Sequence, residues 1–154
     1  MQSRIVGQIT SVDYDPDFFE SNPYPIPYFD NKELKVVFID AKHEPYLLEA
    51  DNILQNFLSL DIQDRIDDSH LVFHYYSETL KYGYTKHLQV NDIADIWNFV
   101  YPTEIIVHWN ENADFYLCVS CGCEWEEEHG LQLVFKDGKQ LTRASGHDGG
   151  FTDE

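Results

Sequence analysis

The stretch FYLCVSCGCEWEEEHGLQLVFKDGKQLTRAS, Phe115 to Ser145, decides the fold. From Phe115 the odd positions are Phe115, Leu117, Val119, Cys121, Cys123 and Trp125, all apolar or cysteine. The even positions turn polar toward Glu124 and Glu126. Successive side chains of a strand point to opposite faces, so this pattern predicts one long strand with a core face. Glu126 to Gly130 then reads as a turn and Leu131 to Phe135 as a strand. Asp137-Gly138 is a hairpin signal, and Gln140 to Ser145 is the last strand.

Upstream, Thr103 to Trp109 (TEIIVHW) is a strand and WNENAD, Trp109 to Asp114, a turn, which completes a four-strand meander. Before it the period is helical. Pro45 opens a helix whose Leu47, Ala50, Leu54, Phe57 and Leu58 share a face. A second helix is expected over about Ile62 to Tyr82, with Ile62, Ile66, Ser69, Phe73, Tyr76 and Leu80 as its core stripe and Gly83 as its stop. A third begins at Asn91 or Asp92 as N-cap, buries Ile93, Ile96, Trp97 and Val100, and stops at Pro102.

At the N-terminus, Arg4 to Val12 and Glu33 to Asp40 read as two strands paired with each other. DYDPDFFESNPYPIP, Asp13 to Pro27, is expected to be a surface excursion, because proline removes ladder donors and restricts its predecessor. The predicted class is therefore α+β. Its antiparallel sheet has an N-terminal strand pair and a C-terminal four-strand meander, with about three helices packed on one face.

A chain of 154 residues, 43% hydrophobic and 15% aromatic, suits one domain over 1–154 with a core of its own. No apolar run approaches membrane-spanning length and the N-terminus lacks an apolar signal segment, so a cytoplasmic protein is expected. Twenty-eight acidic residues against ten basic ones give a formal charge of -18. That sign disfavours nucleic acid and anionic membranes as partners; it serves solubility in the first reading and favours a basic protein partner in the second.

The cysteines and the acidic turn are the chemical candidates. Alternation puts Cys121 and Cys123 on the core face, where a free cysteine behaves as a small hydrophobe. Cys118 falls on the other face and is expected to react more readily. A hairpin turning at Glu127 to His129 sets Cys123 opposite Leu133. The alternative is a metal or enzyme site using Cys121, Cys123, His129 and nearby carboxylates, which still needs a converging fourth ligand. Glu126, Glu127, Glu128, His129 and Asp148 are the candidate partner-binding residues. Asp67, His70, His74 and Glu78 form a polar helix stripe that lacks the metalloprotease glutamate after the first histidine. No phosphate-binding glycine loop or nucleophile elbow occurs, and no cofactor is expected.

The residues Cys121, Cys123, Trp125, Glu126, Glu128, His129, Gly130, Leu131, Leu133 and Phe135, followed by Gly138, Thr142, Ser145, Asp148 and Gly149, make a recognisable pattern. It resembles an uncharacterised bacterial family known only as a domain of unknown function. Some of its members sit near polymorphic toxin systems, where immunity proteins are found. The match is strongest over Cys121 to Gly149, and departs at Gly150, where a histidine is expected. The resemblance implies a bacterial cytosolic protein with no established activity. Together with the charge it favours a non-enzymatic, acidic protein-binding module of the immunity type that neutralises a basic partner.

Overall fold

The computed structural model describes residues 1–40, 44–83, 86–109 and 115–148. Among them nine strands form one sheet. They are β1 (Gln2–Ser3), β2 (Gly7–Val12), β3 (Asp15–Ser21), β4 (Tyr24–Ile26), β5 (Lys32–Ile39), β6 (Val100–Trp109), β7 (Phe115–Cys123), β8 (Leu131–Lys136) and β9 (Gln140–Ser145). Their order is β1-β2-β3-β5-β6-β7-β8-β9, with β4 pairing β5 outside that path. The α+β class and the meander β6–β9 are as the alternation predicts. The turn read within residues 110–114 lies outside the described residues.

Every neighbouring pair is antiparallel except β5 and β6, which run parallel with Val37 beside Ile106. A parallel pair needs a crossover connection. Here the crossover carries α1 (Glu44–Leu58), α2 (Ile62–Asp67), α3 (Ser69–Lys81) and a 3-10 helix, Ile93–Phe99. Apart from a short 3-10 turn at Pro27–Phe29, the helical mass of the described residues is therefore delivered between two adjacent strands, and it packs on the face of Val36, Phe38, Ile105, Val107, Leu117, Val119, Leu133 and Phe135. Phe57 of α1 sits with its ring centroid 4.9 Å from that of Phe135, and the buried Tyr28 ring lies 5.3 Å from the same ring.

Three expectations are corrected. First, the N-terminal strands are not partners. β3 lies between β2 and β5, pairing Ile9 with Ser21 and Phe19 with Phe38, inside the stretch expected to be an excursion. Its Pro16 precedes the β3–β5 ladder, which starts at Phe18. Pro25 sits in β4, which has a single neighbour, where a missing N–H breaks no second ladder.

Second, the long middle helix is two helices divided at Asp68. The Arg65 carbonyl at the junction accepts the Trp97 indole N–H at 3.0 Å and the Asp68 backbone N–H at 3.1 Å. Asp61 and Asp64 form a capping box that starts α2.

Third, Pro102 stops no helix. The 3-10 helix starts at the expected Asp92 cap, but the chain is already extended at Val100, and Pro102 sits in β6 at a bulge.

The remote face of the sheet also buries apolar groups. Val37, Ile106, Cys118 and Val134 stand side by side across β5, β6, β7 and β8. Cys118 is 1% exposed and Val134 0%. Cys118 is thus as sheltered as the other two cysteines, and its expected greater accessibility is overturned. Alternation assigns a side chain to a face without saying whether that face meets water.

Candidate functional site

The acidic run lies in the connection between β7 and β8. Strand pairing ends with Cys121 beside Leu131, and Val119 faces Leu133. Cys123 is beyond the ladder with β8 and pairs instead with Val100 of β6. The connection is therefore longer than a hairpin turning at Glu127 to His129, and Cys123 is not opposite Leu133.

Local hydrogen bonds give the connection its shape. One oxygen of Glu126, Oε1, accepts the backbone N–H groups of Glu128 and His129, both at 3.2 Å. His129 Nδ1 lies 3.4 Å from the same oxygen. The Glu126 carbonyl accepts the Gly130 N–H at 3.0 Å, and Gly130 takes a φ of +61°. Glu126 thus holds the turn together, while Glu127, Glu128 and His129 are exposed.

The turn is also clamped from outside. Tyr75 of α3 donates its O–H to the Gly130 carbonyl at 2.9 Å. After β9, the His147 N–H donates to the His129 carbonyl at 2.8 Å. The His147 ring packs on Gly130, where a Cβ would come within 2.9 Å of Cδ2. Trp125 is buried between Tyr75 and Tyr76, with ring centroids 5.9 and 5.7 Å away in edge-on geometry. The Tyr76 hydroxyl accepts the Leu88 N–H at 2.8 Å, which ties the segment carrying Lys86 beside the turn. Between that segment and the turn lies a cleft of about 750 Å³, lined by Lys86 and the run Glu124 to His129.

The sequence candidates separate here. Glu124, Glu126, Glu127, Glu128 and His129 share the cleft. Asp148 does not line it and pairs with Arg143. Sequence reasoning missed Lys86 and Tyr75, and expected Tyr76 only as a core residue of its helix. Nothing local marks them for this turn, because they come from α3 and from the segment after it, as His147 comes from the chain after β9.

The cysteines are held as neutral thiols. Burial pushes Cys118 and Cys123 each up to about 12, and raises Cys121 further still. The Cys123 thiol lies 3.5 Å from the Glu126 carbonyl and can donate to it. The described residues gather no set of three His, Cys, Asp or Glu side chains that could hold a metal, so His129 does not join Cys121 and Cys123. Its partner is Glu126.

A serine and a histidine do approach one another. Ser120 Oγ is 3.5 Å from His147 Nε2, but the same Nε2 lies 3.2 Å from the Cys121 carbonyl. A carbonyl only accepts, so in this contact Nε2 carries the proton and is not a base for Ser120. The helix stripe is likewise solvated. His74 meets Glu78 at 3.9 Å, and His70 Nδ1 lies against the Asp67 carbonyl.

A family model described as Domain of unknown function (DUF6985) matches residues 8–151. The chain belongs to this family. The match spans β2 to β9, so the DUF6985 domain is the sheet, the helices and the acidic turn together. No curated protein and no solved structure matches the chain. No helix among the described residues of this DUF6985 member is long and apolar enough to cross a membrane.

Proposed function

We propose that this protein is a non-enzymatic, acidic binding module of the bacterial cytoplasm whose partner is a basic protein, in the manner of an immunity protein that neutralises a toxin domain. The observation that carries this reading is the clamped turn, which presents Glu127 and Glu128 outward from a backbone fixed by Glu126, Tyr75 and His147. Carboxylates on a preorganised backbone lose little freedom when a partner's cations arrive. The charge of -18 adds a long-range attraction that speeds encounter with a basic surface.

Co-expression with a basic candidate toxin domain tests the reading. The expected result is survival of cells that otherwise die, together with a one-to-one complex that persists on purification. Survival without a complex, or a complex without protection, would contradict it.

A further inference from the structure

A second hollow, of about 440 Å³, lies where the N-terminal arm, the β4–β5 hairpin and α1 meet, and it shares no lining residue with the acidic cleft. Its apolar lining is Ile5, Pro25, Pro27 and Leu58. Its polar lining is Arg4, Tyr24, Asn31 and Gln55, which bring a guanidinium, a phenol and two amides. None of these polar side chains has a hydrogen-bond or ion-pair partner among the described residues. The chain carries a charge of -18, yet among the described residues Arg4 is the only charged side chain lining this hollow. Exposed polar side chains are ordinarily hydrated one by one. Several that converge on apolar walls have the composition of a small-molecule site.

The backbone behind these groups is fixed. The Arg4 N–H donates to one oxygen of the buried Asp51 carboxylate at 2.9 Å, and the Ser3 hydroxyl donates to the other at 2.5 Å. Asp51 is thereby spent on the arm's own donors, and the Arg4 guanidinium stays unpaired. The Ile5 N–H donates to the Ser3 hydroxyl at 3.1 Å. Asn31 holds a φ of +62°, which asparagine tolerates, and its N–H donates to the Ile26 carbonyl at 2.9 Å. Gln55 and Leu58 flank Leu54 and Phe57, which are buried and anchor α1. Groups held this way lose little freedom when a ligand arrives.

The lining selects the ligand. A divalent cation finds no carboxylate there, and a multiply charged anion finds a single cation. A guanidinium takes one carboxylate through two parallel N–H donors. The proline rings, Ile5, Leu58 and the Tyr24 ring suit an apolar body beside it. We propose that this hollow binds a single carboxylate carried on an apolar body, with Arg4 holding the carboxylate. Such a group occurs on a small organic acid and on the C-terminus of a peptide. The site does not depend on the basic-partner reading.

The probes are phenylacetate for the small acid and acetyl-Ala-Phe for the peptide terminus, each titrated into the ¹⁵N-labelled full chain at physiological salt. The side-chain amide signals of Asn31 and Gln55, assigned through bonds, are expected to move with at least one probe. Phenylacetamide, which lacks the charge, and acetate, which lacks the ring, should each bind at least about tenfold more weakly than phenylacetate if the small acid is the ligand. The amide of acetyl-Ala-Phe should do so if the peptide terminus is. Arg4→Gln should weaken the bound probe about tenfold. Its side chain is exposed and unpartnered, so the unfolding midpoint should stay at the wild-type value. Lys139→Gln makes the same change of net charge at an exposed residue that does not line the hollow. It should change affinity by less than about threefold, as surface charges do at this salt.

Stationary Asn31 and Gln55 signals with both probes would overturn the proposal. Equal binding of a probe and its amide would overturn it too, because the carboxylate would then play no part. Equal losses in Arg4→Gln and Lys139→Gln would do the same, because binding would follow net charge alone. Tighter binding of acetyl-Ala-Phe than of phenylacetate supports it with a peptide C-terminus as the ligand, and the reverse order supports it with a small acid.

Discussion

Gly130 shows how single residues set the shape of the turn. A Cβ there would meet a φ of +61°, the Cys121 carbonyl oxygen at 2.8 Å and the His147 ring at 2.9 Å. Gly130→Ala should therefore destabilise the fold by about 1–3 kcal/mol, the usual cost of a strained backbone position. Urea unfolding followed by circular dichroism measures this, and a midpoint equal to wild type would show that the clamp gives way freely. The cysteines make the second prediction at this scale. All three thiols are buried and raised, so a thiol reagent at pH 8 should modify the native protein slowly and the urea-unfolded protein at once. Rapid native labelling at any one of them would refute its placement. The strand alternation made Cys121 and Cys123 legible as core residues. It misjudged Cys118 because burial of the remote face depends on neighbours four strands wide, which no single strand reveals.

Among elements, α1 is tied to the N-terminus by a carboxylate. Asp51 is buried and accepts the Ser3 hydroxyl at 2.5 Å and the Arg4 N–H at 2.9 Å. Asp51→Ala leaves both donors unpaired and should cost about 1–3 kcal/mol. An unchanged unfolding midpoint would mean that water replaces the carboxylate without loss. A pH dependence belongs to the α2–α3 junction. Burial, the largest cause, raises the Asp68 pKa even though the Tyr28 O–H bonded to it at 2.9 Å pulls the other way. A carboxyl raised in the folded state binds more protons there than in the unfolded chain. Its contribution to stability is therefore present at low pH and lost as pH rises from the ordinary carboxylate value through the raised one. Asp68→Asn removes that slope, so wild type should lose stability relative to it across this window. A constant difference between the two proteins would contradict the shift. The local signals gave the meander strands and the Asp92 cap correctly. The parallel pairing of β5 with β6 stayed hidden, since partners separated by the whole helical crossover leave no periodic mark. β3 stayed hidden because Pro16 and Pro25 suggest irregular chain, whereas both sit where no ladder needs their N–H.

At the scale of the whole molecule the charge of -18 dominates, and it was plain from composition alone. The cleft was only half legible: its carboxylates lie in one run, while Lys86 reaches it, and Tyr75, Tyr76 and His147 reach the turn behind it, only by folding. The central claim is that this acidity serves encounter with a basic partner. The Debye length falls from about 30 Å at 0.01 M salt to about 8 Å at 0.15 M. Long-range steering should fade over that interval, while short-range contacts persist. The most direct measurement is therefore the association and dissociation rates with a basic candidate toxin domain across that range of salt. The account predicts that the association rate falls steeply and the dissociation rate changes little. An association rate indifferent to salt would contradict it.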